Sequence, residues 1–212
     1  MLLNVISLIL NASVVIMTVV CMIIILMRGG DGNMKSKNIG CFRFFTVDSN
    51  ILAAVVCAVI AVCEIKALVT GETVIPEWAL IFKLVGSTAV ALTFFVVIFL
   101  LSRIYGFKTL YEGTSFIMHL VAPVFAMASL MFFDGGGRIS YIGIVFSLIP
   151  SVIYGAVYFY MVVIKGENRG GWADFYGFNA GGKWYITAPA IIFITGVLAF
   201  LLTLVHNLIA LG

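Results

Sequence analysis

The sequence predicts an all-α, polytopic membrane protein that consists of a single bundle of six transmembrane helices. Two observations support this prediction. Hydrophobic residues make up 63% of the 212 positions and charged residues only 10%, whereas soluble domains have about 45–50% and about 25%. The apolar residues also form runs long enough to cross a hydrocarbon core, which takes about 20 helical residues.

Six such runs follow one another with short connections. A β-barrel of the outer membrane would instead show short segments of alternating polarity. The predicted spans cover residues 5–27, 47–68, 80–101, 116–133, 141–164 and 185–208. Because little of the chain lies outside them, residues 1–212 are expected to form one transmembrane domain. The first run is expected to be a retained helix, since it is too long for a signal-peptide core and no basic residue precedes it.

The basic residues predict the orientation of the bundle. Nine lie near the connections that follow odd-numbered spans: Arg28, Lys35, Lys37, Arg43, Arg103, Lys108, Lys165, Arg169 and Lys183. Three lie on the other side: Lys66, Lys83 and Arg138. By the positive-inside rule, both termini are outside and the odd-numbered connections are cytoplasmic. The net charge of +3 comes from scattered loop residues, so the expected partners are membrane lipids and not nucleic acid.

Some polar residues of the spans are expected to have structural roles. Asn11 is predicted to make an interhelical hydrogen bond. Glu64 is expected either to pair with Lys83 or, like Lys83, to reach water. His206, near the outer end of the last span, is expected at the membrane interface. The four cysteines form no metal-binding pattern, and no metal or other cofactor is predicted.

A polar cluster stands at the beginning of the second span, within residues 42–52. Thr46, Ser49 and Asn50 occupy positions i, i+3 and i+4 of a helix, so they share one face. That face must be turned toward protein or water, because polar side chains are costly in lipid. Asp48 lies beside them in the sequence. The cluster therefore predicts one half of an active site.

His119 is the predicted other half. The second and fourth spans run in the same direction, and Thr46 and His119 both lie near their first turns, in one layer close to the cytoplasm. Tyr154, Tyr158 and Asp174 are placed in the same layer, the last in a glycine- and aromatic-rich loop expected to lie in the interface. A histidine within a membrane span indicates a functional site.

This combination of residues fits acyl transfer. The hydroxyl of Thr46 is a weak nucleophile until a base takes its proton, and neutral imidazole has a suitable affinity for that proton near pH 7. Free backbone amides at the beginning of a helix are available to stabilise an oxyanion. The group that orients the His119 ring is left open among Asp48, Asn50, Asp174 and a tyrosine hydroxyl.

The same residues also have ordinary structural explanations. Thr46 at a helix start is typical of an N-cap. Asn50 is consistent with a simple interhelical hydrogen bond, and His119 with a buried bundle histidine beside a proline kink. Asp48 and Asp174 are consistent with solvated acids of a helix start and a loop.

Residues 44–50 (FFTVDSN), followed two spans later by residues 119–123 (HLVAP), carry a family resemblance. They resemble the androgen-induced-gene and androgen-dependent-TFPI-regulating-protein family of six-span membrane proteins and its bacterial relatives. The resemblance implies a threonine hydrolase that acts on fatty acid esters of hydroxy fatty acids. It implies that Thr46 is the nucleophile and His119 its partner.

The predicted function is therefore hydrolysis of a lipid or fatty-acyl ester that enters laterally from a bacterial plasma membrane. A membrane transporter or binding protein for lipids or small molecules is the alternative, although the span centres carry no charge and no internal repeat is visible. A haem or quinone protein is disfavoured, because His119 and His206 are expected about 27 Å apart along the membrane normal.

Overall fold

The computed structural model describes residues 2–29, 38–71 and 75–210. Those ranges contain no β-strand, and six of their helices are long and apolar enough to cross a membrane. The six are α1 (Leu2–Arg28), α2 (Phe45–Thr70), α3 (Glu77–Tyr105), α4 (Gly113–Phe133), α5 (Ile142–Lys165) and α6 (Trp184–Ile209). The predicted all-α, six-helix fold is confirmed, and the chain is an integral, multi-pass membrane protein. Lys35 and Lys37, which entered the predicted orientation, lie outside the described residues.

α3 is the central helix of the bundle. In its most apolar window 67% of the residues are buried, against 22% to 39% in the other five helices. It packs against α2, α4, α5 and α6, whereas α1 packs on α2 and α4. A glycine allows α3 to pack closely on α2, because a Cβ on Gly86 would stand 2.5 Å from Cγ2 of Val56 and 3.2 Å from Cα of Ala53.

The bundle has two ends, which differ in their polar chemistry. α1 begins and α6 ends at one end, here called the terminal end. At the other end, here called the Thr46 end, α1, α3 and α5 end and α2, α4 and α6 begin, with Phe45 the first residue of α2.

A buried ionic network occupies the terminal end. Nζ of Lys83 lies 3.7 Å from Oδ2 of Asp134 and 2.9 Å from Sγ of Cys57. Asn11 joins both charges, since its Nδ2 donates to Oδ1 of Asp134 at 2.8 Å and its Oδ1 accepts from Lys83. The predicted interhelical bond of Asn11 is therefore confirmed.

The expectation for Glu64 and Lys83 is wrong. Lys83 and Glu64 are 0% and 1% exposed, so neither reaches water, and the ion pair of Lys83 is with Asp134. Asp134 lies just beyond the end of α4. Three glycines follow it, so the sequence predicts only a turn at this position. His206 is buried, and its Nδ1 and Nε2 lie 2.7 and 3.2 Å from the carbonyl oxygens of Leu130 and Gly137. Its expected depth at the membrane interface stays a prediction.

Candidate active site

Thr46 is the second residue of α2, and its hydroxyl is turned into the bundle. The N-cap residue is Phe44, and no side-chain hydrogen bond caps the helix. Thr46 is only 3% exposed, and its Oγ1 lies 3.3 Å from Nε2 of His119. The structure therefore brings the two predicted residues together, and Thr46 does not serve as an N-cap.

A backbone carbonyl orients the imidazole of His119. Nδ1 lies 2.9 Å from the carbonyl oxygen of Leu110, in a short helix, Phe107–Leu110, between α3 and α4. The last carbonyls of a helix lack intrahelical donors, so this oxygen is free to accept. Because a carbonyl can only accept, Nδ1 carries the proton and Nε2 is left bare to accept from Thr46. None of the side chains that the sequence left open as the orienting group takes this position.

His119 lies in a wide helical turn that is followed by a proline. The turn Ile117–Val121 has π-helical geometry, which is frequent at functional sites. Pro123 has no N–H, so a carbonyl in the turn before it lacks its helical donor. Asn50 of α2 supplies a donor there, because its Nδ2 bonds the carbonyl oxygen of Met118 at 3.0 Å.

Asn50 and Ser49 fix the position of Thr46. The same Nδ2 of Asn50 also donates to the carbonyl oxygen of Thr46 at 2.7 Å, so one amide group joins the two helices next to both predicted catalytic residues. The hydroxyl of Ser49 lies 3.0 Å from that of Thr93 on α3 and donates to the Thr46 carbonyl at 3.2 Å. The shared face of Thr46, Ser49 and Asn50 is thus turned toward protein, as the helical spacing predicts.

Tyr154, Tyr158 and Asp174 shape the surroundings of the site and do not bond the His119 ring. The hydroxyl of Tyr154 donates to the carbonyl oxygen of Arg43 at 2.6 Å. The hydroxyl of Tyr158 donates to Oδ1 of Asp174 at 3.1 Å, and the Asp174 carboxylate accepts the backbone N–H groups of Phe178 and Asn179 at 2.9 and 2.8 Å. Asp174 therefore folds the α5–α6 loop.

Asp48 faces a different space from Thr46. It lines a second cavity of about 280 Å³ between α2 and α5, with Leu52 and Pro150 among the other lining residues. A separate cavity lies beside Thr46. Phe45 and Tyr154 line both cavities, and their rings lie 5.0 Å apart. These two aromatic rings thus separate the cavity of Asp48 from the cavity of Thr46.

Tyr176 is a residue of the site that the sequence reasoning missed. Its oxygen accepts the backbone N–H of Phe45 at 3.0 Å, and Tyr176 lines the same cavity as Thr46. Burial raises the pKa of the Tyr176 phenol to about 12. The signal available was the density of aromatic residues in the α5–α6 loop, which did not single out one tyrosine.

An apolar cavity of about 350 Å³ opens beside Thr46, a size within the usual range for small-molecule sites. Most of its wall is aliphatic and aromatic side chains of α3, α5 and α6, such as Leu92, Val96 and Ile191, and the α5–α6 loop contributes Tyr176. Polar side chains in the wall include Thr46, Thr93 and Tyr176. The cavity suits a chain-like apolar molecule with one polar group.

The arrangement is that of a nucleophile and a base whose second nitrogen is already oriented. Within the described ranges no group of three or more histidine, cysteine or acidic residues is placed to hold a metal ion. The chemistry that these residues can perform by themselves is transfer of an acyl group to the hydroxyl of Thr46.

Comparison with known proteins adds no relative. No protein-family model, no curated protein and no solved structure matches this chain.

Proposed function

We propose that the protein is an intramembrane hydrolase of lipid esters, with Thr46 as nucleophile and His119 as general base. The single observation that carries this proposal is the 3.3 Å approach of His119 Nε2 to Oγ1 of Thr46, a residue that lines an apolar cavity. The distance is somewhat long for a hydrogen bond, as is common in catalytic pairs without substrate.

The proposed reaction needs only this pair of residues and water. Nε2 of His119 takes the proton of Thr46 as Oγ1 bonds the ester carbonyl carbon. The tetrahedral intermediate collapses, the C–O bond to the leaving alcohol breaks, and the imidazolium returns its proton to that alcohol. Water then attacks the acyl-threonine with the same base, which releases the fatty acid and restores Thr46.

The cavity supports a fatty-acyl ester as the substrate. Its wall would hold a hydrocarbon chain by burial of apolar surface, which is worth about 0.8 kcal/mol for each methylene. Two lining residues, Leu100 of α3 and Ile186 of α6, are 52% and 57% exposed on the outer surface of the bundle. Entry from the bilayer between α3 and α6 is therefore proposed. The resemblance of residues 44–50 and 119–123 favours fatty acid esters of hydroxy fatty acids as the substrate class.

The proposed location is a bacterial plasma membrane, with the Thr46 end toward the cytoplasm. The distribution of basic residues supports this orientation, because Arg43, Arg103 and Lys108 lie near the Thr46 end.

Labelling with a fluorophosphonate probe of the kind used for serine hydrolases tests the proposal. We expect the wild-type protein in detergent to be labelled, and Thr46→Ala and His119→Ala to lose labelling while keeping the thermal unfolding profile of a folded protein. Thr203→Ala is the matched control, because Thr203 is a buried threonine on α6 whose hydroxyl bonds its own helix at Ala199. Undiminished labelling of either site variant would contradict the mechanism.

Transport or binding of a lipid is the second candidate function, and the cavity is the observation that favours it. This alternative predicts flux or retention of lipid in liposomes that survives both Thr46→Ala and His119→Ala. Hydrolysis predicts that neither the Thr46→Ala nor the His119→Ala variant releases fatty acid.

A further inference from the structure

The first backbone amide of α2 already has a partner. Phe45 is the first residue of the helix, and its N–H donates to the hydroxyl oxygen of Tyr176 at 3.0 Å. An amide at this position is the expected donor to an oxyanion beside Thr46. The structure places a phenol there instead.

Counting protons assigns a direction to this phenol. Tyr154 has one hydroxyl proton, and it lies 2.6 Å from the carbonyl oxygen of Arg43, so Tyr154 acts as the donor there. The Phe45 amide donates to the Tyr176 oxygen, which leaves the proton of Tyr176 for another acceptor. Tyr176 and Thr46 both line the apolar cavity, and Thr46 gives its own proton to His119. The hydroxyl of Tyr176 can therefore donate its proton to a group held in that cavity.

The phenol is held in this position and stays protonated. The backbone N–H of Tyr176 donates to the hydroxyl of Tyr158 at 3.1 Å, and Tyr158 in turn bonds Asp174, which folds the loop. Because burial raises its pKa to about 12, Tyr176 is a neutral hydrogen-bond donor at physiological pH. A tyrosine in such a setting stabilises an oxyanion without transferring its proton.

We propose that Tyr176 is a catalytic residue whose hydroxyl donates a hydrogen bond to the oxyanion formed when Thr46 attacks the ester carbonyl. This inference rests on the proposed function. As Oγ1 of Thr46 bonds the carbonyl carbon, the π electrons of the C=O bond move to its oxygen, and Tyr176 stabilises that charge. When the intermediate collapses, the electrons return and the hydrogen bond weakens. The phenol proton remains on Tyr176 throughout.

The test compares wild-type protein, Tyr176→Phe and Tyr105→Phe, with p-nitrophenyl laurate as the substrate in detergent micelles. Tyr176→Phe removes only the hydroxyl, and we expect kcat to fall about 100- to 1,000-fold with little change in KM. Tyr105→Phe is the matched control, because its hydroxyl holds the same loop through the carbonyl oxygen of Phe175 at 2.9 Å. Its kcat should change less than about threefold, since the bond lies outside the site.

A second measurement separates catalysis from folding. Endpoint labelling with the fluorophosphonate probe counts the folded active sites, so kcat is expressed for those alone. An alkyl trifluoromethyl ketone forms an oxyanion on the nucleophile, and its affinity should fall with kcat in Tyr176→Phe. Lauric acid, which forms no oxyanion, should bind Tyr176→Phe and wild type alike.

Different results would disprove the proposed function and the role of Tyr176. If the wild-type protein neither hydrolyses the ester nor is labelled at Thr46, the proposed function and this inference both fall. If the wild-type protein works through Thr46 but Tyr176→Phe keeps kcat and ketone affinity within threefold, only the role of Tyr176 is overturned.

Discussion

Nδ1 of His119 is hydrogen-bonded to the backbone carbonyl oxygen of Leu110 at 2.9 Å, and this bond decides which nitrogen of the ring can act as a base. A carboxylate partner would add a negative charge to a site within an apolar bundle. A carbonyl fixes the ring and its tautomer without that charge, so the desolvation cost is smaller.

The tautomer of His119 is a first prediction. In protein labelled with ¹⁵N-histidine, we expect NMR to show a protonated Nδ1 and a pyridine-type Nε2 for His119 at neutral pH. The chain has two histidines, so the spectrum of His206→Gln assigns the signal. A His119 ring protonated at Nε2 would leave no base facing Thr46 and would contradict the mechanism.

Asn50 is predicted to position the catalytic pair. Asn50→Leu removes the donor to the carbonyl oxygens of Thr46 and Met118, so we expect a loss of about 1–3 kcal/mol in the free energy of unfolding and a clear loss of kcat. Asn207→Leu is the matched control, because Asn207 bonds both backbone groups of Ile139 at the terminal end. It should lower stability similarly and leave kcat per folded molecule intact. Equal loss of kcat in both variants would remove the positioning role.

The buried pair at the terminal end is predicted to matter for stability alone. Lys83→Met leaves the Asp134 charge buried without its cation, and we expect a loss of about 3–5 kcal/mol. The double variant Lys83→Met with Asp134→Leu should be closer to wild type, since it leaves no unpaired charge. Chemical unfolding in detergent measures both. A single variant as stable as the double variant would show that the pair is not ionic.

Asp174 is predicted to act through the α5–α6 loop. Asp174→Ala removes the acceptor for Tyr158, Phe178 and Asn179, so we expect faster proteolytic cleavage within the loop and a lower kcat. Endpoint fluorophosphonate labelling should still reach one probe per chain, because Thr46 and His119 remain paired. Loss of endpoint labelling with an intact loop would instead assign Asp174 to the catalytic step.

Hydropathy was enough to predict the six helices, and their shared direction was enough to place Thr46 and His119 in one layer. α3 nonetheless extends past both predicted ends, to Glu77 and Tyr105, and these end residues are exposed, so the helix continues beyond the apolar run that hydropathy detects. Burial of Lys83 was not predictable from hydropathy, because a buried cation needs a partner that the pattern does not show. Its partner Asp134 is 51 residues away in the sequence, just beyond another helix.

The missing parts of the site come from loops. The orienting group of His119 is a backbone carbonyl, and every residue type carries one, so sequence gives no sign of Leu110. Tyr176 is one of several aromatic residues in the α5–α6 loop, and only the fold of that loop around Asp174 shows which one reaches α2. Side-chain chemistry at helical spacing was predictable, whereas contacts made by loop backbone were not.

The central claim is that Thr46 becomes acylated. Rapid acid quenching of the wild-type protein with p-nitrophenyl laurate, followed by peptide mass spectrometry, measures this directly. The account predicts one lauroyl group on the peptide that contains Thr46, and none in His119→Ala. A lauroyl group on a different residue, or hydrolysis with no acylated peptide at any quench time, would contradict it.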